Sequence, residues 1–227
     1  MDFQRNLKIM KLINLAKKTI YFKKLDDMNF NAIMHCLQAR IVNFNKNDTI
    51  VNIGDKISYA YLILSGTARQ SSFDEYGNLF IDLDFEKEGI FGLSEIINGD
   101  KTFNSHLVAL EDCTILLLDK FRLLNPTLNR CQRHIDLMKA CFIELARQNS
   151  EITNHKNILT LSSTKDKVMT YLTQYSKKVN SNDFYIPYNR LDFALYLGVE
   201  RSALSAELSK LKKSDIIDFE KNHFIIK

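Results

Sequence analysis

The chain has 227 residues, a net charge of +4 and a hydrophobic fraction of 45%, ordinary values for a soluble globular protein with a real core. No apolar run reaches about 18 residues, so no helical membrane span is expected. The opening MDFQRNLKIMKLINLAKK is broken by Lys8, Lys11, Lys17 and Lys18 and reads as a basic amphipathic helix, not a signal peptide.

A short helix is expected near Asp26–Leu37. Six of the seven glycines then lie between Gly54 and Gly99, separated by short β-prone runs: 39–44, 59–64, 79–84, 106–110 and 114–118. Glycines punctuate turns between strands, so residues 38–121 read as a compact antiparallel β domain. Asp74–Asn78 has the composition of a hairpin tip.

The pattern changes at Asn125-Pro126, an N-cap followed by proline at the first helical position. A heptad register follows, with Leu128, Cys131, Ile135, Met138, Phe142, Leu145, Asn149, Ile152, Lys156 and Leu159 at its core positions. A helix over 125–161 would run ~50 Å, so a partner helix is expected to cover it, with Asn149 as a polar seam residue that fixes register. The alternative is a helix lying on its own β domain.

Ser162–Thr164 then caps a new helix, whose buried face is Val168, Tyr171, Leu172 and Tyr175. A short strand at 184–186, a helix at Arg190–Leu197 capped by Asn189, Gly198, a second helix at Arg201–Lys213 and two β-prone runs at 216–219 and 223–227 complete the chain. The helix pair carries the logic of a helix-turn-helix. Phe193, Ala194 and Leu197 face inward, Gly198 opens the turn, Val199 plugs the corner, and Leu204, Leu208 and Leu211 form the inner stripe of the second helix. Arg201, Ser202, Ser205 and Ala206 are left on the outer face, where a recognition helix meets a major groove. Arg201 suits a guanine edge. Asn189, Arg190, Ser209, Lys210, Lys212, Lys213, Lys221 and His223 suit phosphates. From Thr164 onward, nine lysines and two arginines stand against eight acidic residues, which is compatible with a nucleic-acid surface.

The stretch IPYNRLDFALYLGVERSALSAELSKLKKSDIIDFEKN, together with FNKNDTIVNIGDKISYAYLILSGTARQ and Phe91-Gly92, resembles the Crp/Fnr family of transcription regulators, in its low-GC Gram-positive form. The resemblance implies an α+β protein. A cyclic-nucleotide-binding-type antiparallel β-roll with N-terminal helices would occupy 1–121, a dimerisation helix 125–161, and a winged helix-turn-helix 163–227. It also implies a homodimer that binds double-stranded DNA near promoters and contacts RNA polymerase, under the control of a small effector. Cyclic-AMP-binding relatives carry Gly-Glu and Arg-Ser pairs; the matching positions here are Gly92-Leu93 and Phe103-Asn104. A buried phosphate without a cation is costly, so cyclic AMP is not expected, no other cofactor is implied and the effector is unknown. Relatives also carry an arginine where Ala206 stands, so a different preferred DNA sequence is expected.

Cys36, Cys113, Cys131 and Cys141 show no C-x-x-C spacing, so reduced thiols in a cytoplasm are expected, without a metal or iron–sulfur site. His106 and His134 are haem-ligand candidates by residue type alone. No nucleophile motif, phosphate loop or isolated carboxylate pair is present, so an enzyme is not expected. A winged-helix adaptor that binds protein, and a regulator active without effector, remain open alternatives.

Overall fold

The computed structural model describes residues 11–125 and 132–227. After a helical stretch at 11–17, helix α1 spans Asp27–Cys36. Asp26 caps it by accepting the Asn29 amide at 2.7 Å, which satisfies one of the four orphan N–H groups of a helix start. Eight strands follow: β1 (Arg40–Phe44), β2 (Thr49–Val51), β3 (Tyr59–Ser65), β4 (Ala68–Phe73), β5 (Leu79–Phe85), β6 (Ile90–Phe91), β7 (His106–Ala109) and β8 (Cys113–Asp119). They form two four-stranded sheets of order β1-β8-β3-β6 and β2-β7-β4-β5. The pairings are antiparallel, with Leu62 opposite Leu116 and Val42 opposite Ile115. In β3 the consecutive residues Leu62, Ile63 and Leu64 are all buried. A strand side chain alternates between faces, so both faces of this strand are covered. The core that covers them includes Ala16, Phe22, Phe30 and Leu37 from the N-terminal helices.

The expected strands are all present. Strands β2, β4 and β6 were not expected. β4 reads ARQSSF and lacks an apolar rhythm, and the other two are only three and two residues long. Short helices α2 (Leu93–Asn98) and α3 (Lys120–Leu124) interrupt and close the roll. Asn125 ends α3, bonding the Phe121 carbonyl through both its backbone and its side-chain amide. Its expected role as the cap of the long helix falls on residues outside those described. Pro126, Leu128 and Cys131 lie outside the described residues.

Helix α4 is described from Gln132 to Leu159. It divides between two compact units: residues up to Ser72 with Leu83–Asn149, and Phe73–Asp82 with Ser150–Lys227. The division between the units falls within α4, after Asn149. In the first unit Leu137 and Cys141 enter the β-roll core, with Met138 and Leu145 half-buried beside them. Gln148 donates to the Ile90 carbonyl at 2.8 Å and to Glu144 at 2.7 Å. Arg147 pairs with the buried Glu144 at 2.7 Å.

The expected seam is thus split. Met138 and Leu145 lean on the protein's own roll. Ile135, Phe142, Asn149 and Ile152 are exposed, as is Ile143, which lies outside the heptad register.

The second unit holds α5 (Thr164–Val179), β9 (Asp183–Tyr185), α6 (Arg190–Leu197), α7 (Arg201–Lys213), β10 (Ile217–Glu220) and β11 (His223–Ile226). Its sheet has the order β10-β11-β9. Lys221 and Asn222 form the two-residue turn between β10 and β11, one residue shorter than expected, because Glu220 pairs with His223. Val168, Leu172, Phe193, Leu197, Leu204 and Phe224 are at most 1% exposed and make the core. Each such side chain contributes roughly 1.5–3 kcal/mol by leaving water.

Candidate nucleic-acid interface

Asn189 starts α6 by accepting the amides of Leu191 at 2.9 Å and Asp192 at 3.0 Å, while its own amide donates to the Asp192 carboxylate. Gly198 ends the helix at φ +58°, a left-handed conformation that costs any other residue a Cβ clash. A Cβ there would also come within 3.1 Å of Leu159. Lys167 reaches across from α5 and donates to the Leu197 carbonyl at 3.1 Å, placing a cation on the carbonyl end of the helix, where the dipole favours it. These contacts fix the turn between α6 and α7. Helix α7 then begins at Arg201 with Glu200 in the cap position and no side-chain capping bond.

Leu204, Leu208 and Leu211 bury the inner stripe of α7. Arg201, Ser202, Ala203, Ser205, Ala206, Ser209, Lys210 and Lys213 are exposed. The outer face therefore falls on the residues expected from the sequence. The Ser205 hydroxyl donates back to the Arg201 carbonyl at 2.9 Å, and the Ser209 hydroxyl to the Ser205 carbonyl at 2.9 Å.

The phosphate candidates divide. Lys213 is exposed, and Lys210 stands 3.5 Å from Glu207 with most of its side chain in solvent. Lys212 is engaged within the domain: it pairs with Asp218 at 2.5 Å, donates to the Phe219 carbonyl at 3.3 Å and sits over the Phe219 ring. That contact depends on the wing folding back on α7, which spacing along the chain does not reveal. The Arg190 guanidinium also lies over the Phe219 ring, 5.1 Å from its centroid, and donates to the Lys221 carbonyl at 3.2 Å. Burial, then the neighbouring charge of Arg201, hold its pKa below the usual arginine value. The two guanidiniums thus stand close enough to feel each other, at the head of both helices. Lys221 is exposed at the wing tip with φ +53°. His223 stacks on Tyr185 at 4.5 Å and bonds Asp183 at 2.6 Å.

In the β-roll, Gly92 takes φ +89°, a Cβ on it would meet the Phe103 ring at 3.4 Å, and Leu93 and Phe103 are buried. Phe103 stacks on Phe91 at 5.1 Å and meets Tyr61 edge-on at 6.1 Å. Asn104 is exposed and does not join them. Of the positions matched to the nucleotide-binding pairs, Gly92 and Phe103 therefore lie in aromatic packing. Glu95 is buried and accepts the Ser94 hydroxyl at 2.7 Å. His134 is buried with a ring nitrogen 2.8 Å from the Leu123 carbonyl. Among the described residues no helix is long and apolar enough to cross a membrane.

The family profile of a cyclic nucleotide-binding domain matches residues 41–125. An HTH-type transcriptional regulator ArcR from Staphylococcus epidermidis is 22% identical over 185 residues, covering 79% of this chain and 78% of that protein. Among solved structures, the c-di-GMP responsive global regulator CLP of Xanthomonas campestris aligns with TM-score 0.73 at 14% identity, over 86% of this chain and 97% of the other. FixK2 of Bradyrhizobium japonicum aligns with TM-score 0.65 at 18% identity, over 83% and 92%. The chain thus combines a cyclic nucleotide-binding domain, a long helix and a C-terminal winged helix. Its fold is that of the regulators it aligns with, in keeping with the resemblance read from its sequence.

Proposed function

We propose that the chain is a cytoplasmic, homodimeric, sequence-specific DNA-binding transcription regulator, controlled through its β-roll by a small effector other than cyclic AMP. The observation that carries this is the outer face of α7. It is exposed, holds no large apolar residue and is led by Arg201, while the opposite face is buried in Leu204, Leu208 and Leu211. A surface made to bind protein would present apolar anchors at its centre. This one presents a guanidinium, hydroxyls and peripheral lysines, the groups that read base edges and grip phosphates.

Dimerisation is supported by the apolar residues that α4 leaves outside its own core: Ile135, Phe142, Ile143 and Ile152 are 45, 57, 70 and 49% exposed. A second copy of the helix is the occupant that a heptad repeat specifies. Two winged helices would then meet half-sites about 34–36 Å apart. Exclusion of cyclic AMP rests on the Phe91–Phe103 stack beside Gly92, with no cationic side chain at the positions matched to the phosphate-binding pair. Contact with RNA polymerase follows from the family likeness.

The test is selection of bound fragments from the host's genomic DNA with the purified full-length protein. The expected result is one palindromic consensus, bound with an affinity that falls steeply between about 50 and 200 mM salt. Recovery of unrelated fragments, or a salt-independent affinity, would overturn the reading.

A further inference from the structure

The wing carries an aromatic ring that the core covers only in part. Phe219 stands half-buried on β10, opposite Phe224 of β11. The two rings stack, with centroids 5.8 Å and planes 24° apart, and Phe224 is fully buried. The Phe219 ring is therefore seated on the centre of its unit. Two cations approach it from opposite ends of the helix-turn-helix. Arg190 is the first residue of α6 and lies 5.1 Å from the ring centroid; Lys212, in the last turn of α7, lies 5.4 Å from it.

The chemistry of a phenyl ring suits this place. Its face attracts cations through a quadrupole and carries no net charge. A carboxylate there would hold the same cations but cancel charge that phosphates need. The ring also offsets the repulsion between Arg190 and Arg201, whose charges act on each other. Each cation then reaches the backbone of the wing: Arg190 donates to the Lys221 carbonyl at 3.2 Å and Lys212 to the Phe219 carbonyl at 3.3 Å. Asn222, the other turn residue, is tied to Ile186. Its side-chain amide donates to the Ile186 carbonyl at 3.1 Å, and its own carbonyl accepts the Ile186 amide at 2.9 Å. Both tip residues are thus bound to the chain around the start of α6. Lys221 keeps φ +53°, a conformation that a residue with a Cβ holds only where its surroundings impose it.

We propose that Phe219 is a positioning residue for the wing: through Arg190 it holds the Lys221 tip against the head of α6, so that the Lys221 ammonium meets a phosphate outside the bases read by α7. The inference rests on the DNA-binding reading above and deepens it. Phe219 itself touches no DNA. It orders the tip before DNA arrives, so the complex does not bear the entropy of ordering it.

The test compares full-length wild type, Phe219→Leu, Phe219→Tyr, Arg190→Gln, Lys221→Ala and the Phe219→Leu/Lys221→Ala double variant. Affinity for the selected duplex is measured against salt by fluorescence anisotropy. The heteronuclear NOE of the Lys221 and Asn222 amides is measured in the free protein, where it reports order of the tip. Phe219→Leu is expected to bind severalfold more weakly and to flatten the salt slope by roughly one, as loss of one phosphate contact does. Phe219→Tyr keeps the ring and should stay near wild type. The double variant should lose clearly less than the product of the two single losses, the mark of residues that act through one another. The tip NOE should fall in Phe219→Leu and in Arg190→Gln and be kept in Phe219→Tyr. Losses that multiply in the double variant, or an unchanged tip NOE in Phe219→Leu, would overturn the proposal. Should Phe219→Leu fail to fold, Arg190→Gln, whose side chain lies outside the core, carries the same cycle against Lys221→Ala. Should no duplex be bound by any of the proteins, the DNA-binding reading fails, and the tip NOE alone decides whether the ring orders the wing.

Discussion

Replacing Arg201 with alanine separates the fold of the reading head from its chemistry. The Arg201 side chain is exposed; what it gives the fold is its backbone carbonyl, which accepts the Ser205 hydroxyl at 2.9 Å. Alanine keeps that carbonyl and is the best helix former. Arg201 also places a cation at a helix N-terminus, where the macrodipole disfavours it by about 0.3–1 kcal/mol, beside Arg190, whose pKa its charge helps to lower. The variant should therefore be as stable as wild type or slightly more so, with Tm unchanged or raised by no more than roughly 2–4 °C. Loss of a bidentate base contact costs about 1–3 kcal/mol at one half-site, roughly a 5- to 150-fold weakening, and a dimer loses it twice. The total is a large share of the ~4–10 kcal/mol that separates specific from non-specific binding. Fluorescence anisotropy with the selected duplex and with a scrambled one measures both. The expected result is a large loss on the first and a small loss on the second. Equal losses on both duplexes, or a drop in Tm, would refute the reasoning.

Phe142→Glu should convert the dimer to a monomer in sedimentation velocity while the circular dichroism spectrum is kept, because the ring is 57% exposed and lies outside the β-roll core. Gly198→Ala should cost about 1–2 kcal/mol in urea denaturation, since the residue stands at φ +58° and a Cβ would press on Leu159 at 3.1 Å. Gly198→Asn should cost less, because asparagine tolerates that conformation. Burial first, then Glu144, push the Cys141 thiol up to about 12. Only the thiolate is nucleophilic, so Cys141 should escape alkylation at pH 8 in the native protein and react once it is unfolded, as peptide mass mapping would show.

The reading head was legible in the sequence because its signals are local. Asn189 caps the helix it precedes, Gly198 takes the conformation its position demands, and the leucines of α7 repeat at the helical period. The long helix was legible in kind but not in orientation. It serves its own roll along Leu137, Cys141, Glu144 and Gln148, and that demand turns Met138 and Leu145 of the expected seam inward. His134, Gln148 and His155 look like surface residues in the sequence, yet each is buried against a backbone carbonyl: Leu123, Ile90 and Tyr196 respectively. Backbone carbonyls carry no residue signature, so no pattern announces such partners. The same holds for Lys212, whose acid arrives only when the wing folds back.

The back-bonded serines of α7 carry a consequence for which bases the helix can read. The hydrogen of the Ser205 hydroxyl is committed to the Arg201 carbonyl, so only oxygen lone pairs are left to face outward. Those match the amino hydrogens of cytosine N4 or adenine N6 and repel the N7 and O6 atoms of guanine. Beside them the methyl group of Ala206 suits the C5-methyl of thymine. In the proposed reading the helix gives hydrogens at Arg201 and takes them four residues later, a polarity that a half-site would mirror.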